Sequence, residues 1–231
     1  MKPIRNHIQV VLAPIVIAIL MIGVTACQNP ESGDGPDVSK RYKGMGNSTE
    51  MPEGEPYQLP DGIVAGEALP FVEADTFRCA DLYPEDILGL SEGRVDLCIE
   101  FQNKKAFPIE VTLPPGLIVV SKNLKVQNGM LLERVTFEVP AQTRMFKPIG
   151  FACMNGNRSS APYGDGYTIG PVTNVPPVLE LLAFIADKDL HADTYLSGSV
   201  GGAIRNLGHD GKISNFNRSQ LEKLPLKQSL R

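Results

Sequence analysis

Apolar and polar side chains alternate in short runs between residues 91 and 173, and turn-forming residues separate these runs. The clearest run begins at Val95, where every second side chain is apolar as far as Phe101. A period of two predicts a strand with one buried face. Similar runs predict further strands at 109–113, 117–121, 124–127, 131–139 and 145–153. Asn128 and Gly129 predict a two-residue hairpin turn between the fourth and fifth of these strands, 124–127 and 131–139.

From residue 176 onward the pattern is helical. Pro176 and Pro177 are typical of a helix start, and the helix that follows carries apolar side chains all round its surface, so we expect it to pack between other elements. A second helix is predicted to have Ser197 as its N-cap and to stop at Gly208. A short third helix is predicted near 217–224. The apolar stripe of the second helix consists of Val200, Ala203, Ile204 and Leu207.

These elements predict the α+β class, with an antiparallel β-sandwich, immunoglobulin-like or similar, followed by two or three C-terminal helices. A chain of 231 residues is long enough for one domain with appendages. We expect the globular domain at 59–225, with a β-rich part at 91–173 and a helical part at 176–225. Residues 226–231 are predicted to be a tail.

The N-terminal part of the chain differs in character from the rest. Lys2 and Arg5 precede a stretch at 8–24 in which Gln9 is the only polar side chain. This stretch is shorter than the roughly 20 apolar residues that span a bilayer, and it has the length of a signal-peptide core. Residues 1–26 are therefore predicted to be a signal peptide, with an uncleaved membrane anchor as the alternative. The apolar stretch ends in Val24, Thr25, Ala26 and Cys27.

The sequence Val24-Thr25-Ala26-Cys27 resembles the lipobox of bacterial lipoproteins, in which an aliphatic residue and two small residues precede an invariant cysteine. The resemblance implies cleavage before Cys27, transfer of diacylglycerol to its thiol and acylation of the new N-terminus. Membrane lipid would then be a partner of the protein, and two or three acyl chains would hold it firmly. Gln28 stands where Asp would retain an enterobacterial lipoprotein in the inner membrane. The resemblance thus implies an outer-membrane anchor, with the domain on the periplasmic face or the cell surface.

Residues 27–58 have the composition of a disordered tether behind the lipidated cysteine. Between 28 and 57 the chain has four prolines and five glycines, and Val38 is the only β-branched aliphatic residue. Such a segment buries too little apolar surface to offset the entropy lost on ordering. We therefore expect that deleting residues 30–50 leaves the fold intact.

The formal net charge is −4, from 22 Lys and Arg against 26 Asp and Glu, and no basic block stands out. We therefore expect no nucleic-acid partner. Three histidines leave little material for a metal site, and we find no spacing typical of metal or nucleotide sites, so we expect neither metal nor cofactor. The predicted function is a non-enzymatic binding or scaffold module with an envelope protein or a glycan as its partner. A glycan-binding lipoprotein is the first alternative, although the chain has no Trp to stack on sugars.

Three cysteines besides Cys27 allow at most one disulfide within the domain. Cys98 alternates with the apolar residues of its predicted strand, so its side chain is expected to point away from the core. Cys153 shares a predicted face with Phe151 and is expected to point inward. Because Cys98 and Cys153 would lie on opposite sides of a sheet, Cys79–Cys98 is the favoured pair and Cys79–Cys153 is the alternative.

A thiol-dependent hydrolase is the second alternative function. Cys153 is followed by His191 or His209 and then by Asp210 or Asn215, which is the order found in papain-like enzymes. None of the local signatures of those enzymes surrounds Cys153. We therefore expect no catalytic residue in this chain.

A polar, glycine-rich segment at 153–174 joins the predicted sheet to the helices. Loops in such positions are common places for ligand contact, which makes their polar and aromatic side chains candidate binding residues. The alternative is a structural connection whose polar groups satisfy the backbone. The candidate residues are Asn155, Asn157, Arg158, Tyr163 and Tyr167.

Overall fold

The computed structural model describes residues 41–70, 79, 87–90, 95–160 and 166–228. The predicted signal peptide, Cys27 and Tyr163 lie outside the described residues. Within the described ranges the chain forms nine strands followed by three helices. The strands are β1 (Gly54–Glu55), β2 (Ile63–Pro70), β3 (Val95–Asn103), β4 (Ile109–Leu113), β5 (Leu117–Ser121), β6 (Gly129–Met130), β7 (Val135–Val139), β8 (Arg144–Cys153) and β9 (Tyr167–Thr173). The helices are α1 (Pro176–Ile185), α2 (Thr194–Asp210) and α3 (Asn215–Leu221).

Six of these strands close into an antiparallel barrel. Around the ring their order is β9, β2, β3, β8, β6 and β5, and β5 pairs back with β9. Strand β1 adds to β9, while β4 and β7 form a separate two-stranded sheet. The α+β class is confirmed, but the predicted sandwich is wrong. The sequence pattern does not predict β2 and β9, the strands that close the ring, because Gly66, Gly170 and Pro171 interrupt their alternation.

The predicted hairpin turn at Asn128 and Gly129 is also wrong. Gly129 lies inside β6, and residues 124–127 belong to the loop that leads from β5 to β6. A Cβ atom built on Gly129 would lie 2.7 Å from side-chain atoms of both Phe151 and Val95. Glycine is needed here because the β6 backbone passes too close to the barrel core for a side chain.

Strand β5 faces two hydrophobic cores. Leu117 and Val119 belong to the core inside the barrel, whereas Ile118 packs beneath the helices. The barrel core includes Phe101 and Phe137, whose rings meet edge to face with their centroids 4.9 Å apart. The second core joins β5, β6 and β8 to all three helices. Burial on both faces explains why β5 is a continuous apolar run.

Helix α1 begins at Pro176, as predicted. The expectation that it packs on all sides is wrong, because Leu179 and Phe184 are 45% and 44% exposed. The helix covers the second core with one face only. The buried residues of that face are Val178, Leu181, Leu182 and Ile185.

Helix α2 keeps the predicted apolar stripe but has different ends. Asp193 is the N-cap, since its side chain accepts hydrogen bonds from the backbone N–H groups of Tyr195 and Leu196. Gly211 ends the helix in the left-handed conformation, with φ at 69°. The predicted cap residues Ser197 and Gly208 both lie inside the helix.

Residues 41–56 form an ordered segment against the domain, which we call the strap. Met45 is 1% exposed and belongs to the second core, and the Gly46 N–H donates to the Met154 carbonyl oxygen at 2.9 Å. At the other end of the strap, Gly54 in β1 pairs with Thr173 of β9. The predicted disorder therefore does not extend to residues 41–58, because distant parts of the chain hold this glycine-rich backbone.

Candidate functional site

Four buried polar residues, Gln127, Asn128, Asn155 and Arg158, form a cluster that we call the polar clamp. Each is at most 7% exposed. The Gln127 side chain donates to the carbonyl oxygens of Asn155 and Arg158 and accepts from the Asn155 N–H at 2.8 Å. The Asn155 side chain accepts from the Asn128 N–H at 3.0 Å. The clamp thus ties the loop before β6 to the segment that follows β8.

The amides of the clamp also hold the backbone of the strap. The Asn155 Nδ2 atom donates to the carbonyl oxygens of Gly44 and Gly46, both at 3.1 Å. The Asn128 Nδ2 atom donates to the Gly44 oxygen at 3.0 Å, and its Oδ1 atom accepts from the Ser121 N–H at 3.1 Å. Buried backbone groups need such partners, and a segment without regular structure must find them in side chains.

Arg158 is a buried cation that is held by carbonyl oxygens. Its guanidinium donates to the Ser48 oxygen at 2.6 Å and to the Val126 oxygen at 3.4 Å. Burial lowers the pKa of Arg158 from its usual value, and the charge interaction with Tyr167 raises it in part. Since an arginine pKa lies far above neutral, the side chain stays charged and continues to need these oxygens.

Two of the five candidate ligand-binding residues, Asn155 and Arg158, belong to the polar clamp, and a third, Tyr167, hydrogen-bonds to it. The donors of Asn155 and Arg158 bind carbonyl oxygens of the chain itself, and the Tyr167 hydroxyl donates to the Gln127 oxygen at 2.9 Å. These three side chains have the structural role that the sequence left as the alternative. Asn157 is exposed, so a ligand contact there stays a prediction.

Gln127 and Asn128 are structural members of the clamp, although the sequence pattern predicts only a turn at Asn128 and no site role for Gln127. Two adjacent amides between runs of apolar residues are a signal for a buried polar site, since isolated buried amides require partners. Their actual partners lie up to 84 positions away along the chain, as for Asn128 and Gly44. Local sequence patterns cannot supply that pairing.

The disulfide Cys79–Cys98 is present, as favoured from the sequence, with the Cα atoms 6.1 Å apart. Cys98 does point away from the barrel core, but it is only 2% exposed, because Cys79, Leu69 and Phe146 cover it. Cys153 is a thiol inside the barrel core with no exposed surface. The separate clusters of Cys98 and Cys153 confirm that the two side chains lie on opposite faces of the sheet.

The two histidines considered for catalysis interact with carboxylates rather than with Cys153. His191 Nε2 lies 2.6 Å from a Glu133 carboxylate oxygen, and this contact links the loop before α2 to the loop before β7. His209 Nδ1 lies 2.7 Å from a carboxylate oxygen of Asp210 at the end of α2. Cys153 lies in the barrel core, so this arrangement does not form a thiol–imidazole pair.

A groove of about 370 Å³ lies between α1, the end of α2 and α3. This volume is within the range of small-ligand pockets. The apolar part of its lining is Pro177, Leu181, Phe184, Leu207, Ile213 and Leu221. The charged part is Glu180, Lys212, Arg218 and Glu222.

No helix in the part of the chain that the structure describes is long and apolar enough to cross a membrane. Nor do the described residues contain a group of three or more His, Cys, Asp or Glu side chains arranged to hold a metal ion. Comparison of the chain with protein-family models, with curated proteins and with solved structures gave no match.

Proposed function

We propose that the chain is a bacterial envelope lipoprotein, anchored in the outer membrane through acyl chains on Cys27. Its domain is a non-enzymatic binding or scaffold module. The observation that carries the proposal is the lipobox-like sequence Val24-Thr25-Ala26-Cys27 at the end of an apolar stretch. Two or three acyl chains on one residue would give stable membrane attachment.

The position of the strap supports a module that acts close to the membrane. Thirteen residues, 28–40, separate Cys27 from the first residue of the strap. Even fully extended, thirteen residues span at most about 45 Å. A domain of this size would therefore stay within roughly its own diameter of the lipid headgroups.

A buried thiol gives the hydrolase alternative no support. A cysteine nucleophile must meet its substrate, and reactive cysteines are partly exposed with a nearby base. Cys153 has no exposed surface and lies among apolar side chains of the barrel. The glycan-binding alternative stays a prediction.

Metabolic labelling with palmitate tests the proposed anchor. We expect the unsubstituted chain to incorporate the label and Cys27→Ala to lose it, because the thiol is the only proposed site of diacylglyceryl transfer. Cys153→Ala is the matched control and should keep the label. Label retained in Cys27→Ala, or absent from the unsubstituted chain, would reject the lipoprotein assignment.

A further inference from the structure

The groove between the three helices lies where the chain enters the domain. The guanidinium of Arg41, the first residue of the strap, packs against Gly211, with Nη1 3.1 Å from the position of a Cβ on that residue. Gly211 and its neighbour Lys212 also line the groove. The segment that leads back to Cys27 therefore starts at the edge of the groove.

The groove is lined by two acidic and two basic side chains. Within the described residues, Glu180, Lys212, Arg218 and Glu222 form no ion pair at 4 Å or less. They provide two positive and two negative charges beside an apolar floor. A ligand that carries both charges and an apolar chain would complement such a groove.

We propose that this groove binds a zwitterionic phospholipid of the membrane that carries the anchor, an assignment that rests on the proposed function. The phosphate is matched by Lys212 and Arg218, since both side chains are donors for phosphate oxygens. The ammonium group of the headgroup is matched by Glu180 and Glu222. The acyl chain is matched by the apolar floor, in which Phe184 is the large exposed side chain.

The short connection to Cys27 favours a lipid over a soluble partner. Only the thirteen residues 28–40 lie between the acylated cysteine and the strap. Lipid headgroups near the anchor would therefore have a high effective concentration for the groove. A weak headgroup contact is sufficient under these conditions, because the anchor has already brought the two surfaces together.

The absence of tryptophan from the chain allows a direct test. Phe184→Trp places one tryptophan in the groove, and Phe216→Trp places one on α3 at a residue that is 57% exposed and does not line the groove. Each variant, in a chain that carries Cys27→Ser, is titrated with lauroyl lysophosphatidylethanolamine below its micelle concentration. Far-UV circular dichroism checks that both variants are folded.

We expect a saturable blue shift of the tryptophan emission for Phe184→Trp and none for Phe216→Trp. No saturable shift in Phe184→Trp, or the same shift in both variants, would overturn the proposal. An equal response to laurate, which has no ammonium group, would overturn the zwitterionic assignment. Native mass spectrometry of the chain without either tryptophan should show one bound lysolipid. This result would show that binding does not depend on the introduced tryptophan.

Charge reversal tests the headgroup contacts. In the Phe184→Trp background, Arg218→Glu should weaken lysolipid binding about tenfold, because a phosphate contact becomes a repulsion. Lys122→Glu makes the same charge change in the loop after β5, outside the groove, and should leave the affinity unchanged. Equal affinities for the two variants would reject the assigned headgroup position.

Lysolipid titration tests the groove and palmitate labelling tests the anchor, so the two proposals can fail independently. Binding in the groove together with failed palmitate labelling would remove the anchor and leave the groove assignment standing. Successful labelling without lysolipid binding would remove the groove assignment alone.

Discussion

Asn155 joins three parts of the chain that lie far apart in sequence. Its side chain binds the carbonyl oxygens of Gly44 and Gly46 and the backbone N–H of Asn128, and it has no exposed surface. Removing the amide would take these partners from the Gly46 carbonyl oxygen and the Asn128 N–H, whereas the Gly44 oxygen would keep its bond from Asn128 Nδ2. Each unsatisfied buried group costs about 1–3 kcal/mol. At the scale of single residues, the polar clamp is therefore the feature whose loss matters most for the strap.

We expect Asn155→Ala to lower the free energy of unfolding by about 2–4 kcal/mol, because two buried backbone groups, the Gly46 oxygen and the Asn128 N–H, lose their side-chain partner. Asn157→Ala is the matched control two positions away. Its side chain is exposed, so the change should stay within about 0.5 kcal/mol. Urea unfolding followed by circular dichroism measures both. Equal effects of the two substitutions would show that the amide contacts of Asn155 contribute little.

At the scale of elements, the packing of the strap on α2 depends on Gly208. A Cβ atom at this position would lie 2.7 Å from the Gly46 backbone nitrogen and 3.2 Å from the Met154 oxygen. Both neighbours are backbone atoms, which cannot move aside as a flexible side chain can. The glycine that the sequence suggested as a helix stop is instead the point of close approach between α2 and the strap.

Gly208→Ala should therefore destabilise the protein by about 1–3 kcal/mol, since the added methyl group displaces the strap. Gly198→Ala in the same helix is the control, because nothing lies within 4 Å of its Cβ position. Replacing an open helical glycine by alanine stabilises a helix by about 0.5–1 kcal/mol. Thermal unfolding of both variants should thus show shifts of opposite sign, and shifts of the same sign would contradict this packing.

The strands and helices with regular patterns could be predicted from the sequence. The alternation from Val95 identified β3, and the apolar stripe along Val200 and Ile204 identified α2. The closure of the barrel could not be predicted, because Gly170 and Pro171 break the pattern of β9 while its backbone still pairs with β5. The apolar–polar pattern reports only on side chains. It therefore misses a strand that is held mainly by backbone hydrogen bonds.

The strap could not be predicted for a related reason. Met45 is a buried apolar side chain in a polar, glycine-rich segment. A single apolar residue forms no periodic pattern from which burial could be predicted. The strap is held through the carbonyl oxygens of Gly44, Gly46 and Ser48 by side chains about 80 to 110 positions later. The described part of residues 30–50 contradicts the expectation that this stretch can be deleted without cost. Deletion would remove the acceptors of the Asn128 and Asn155 amides and one of the two acceptors of Arg158.

At the scale of the whole molecule, the strap makes the N-terminal side of the domain a fixed part of the fold. Its two ends are secured differently, since Met45 is buried in the second core and Gly54 pairs with β9. The proposed anchor then acts on a rigid domain through a short connection. Under the proposed function, this attachment would set which side of the domain faces the membrane.

Hydrogen exchange at the strap tests this account most directly. The Gly46 N–H donates to Met154 at 2.9 Å and the Ser48 N–H donates to Met45 at 2.9 Å, so both amides should exchange at least about a hundredfold more slowly than in the unfolded chain. The measurement is made on the chain with Cys27→Ser, with the barrel amide of Leu131, which donates to Leu117, as the protected reference. Protection at Gly46 and Ser48 that disappears in Asn155→Ala is the predicted result. Exchange of these two amides at the rate of an unfolded chain, while Leu131 stays protected, would contradict it.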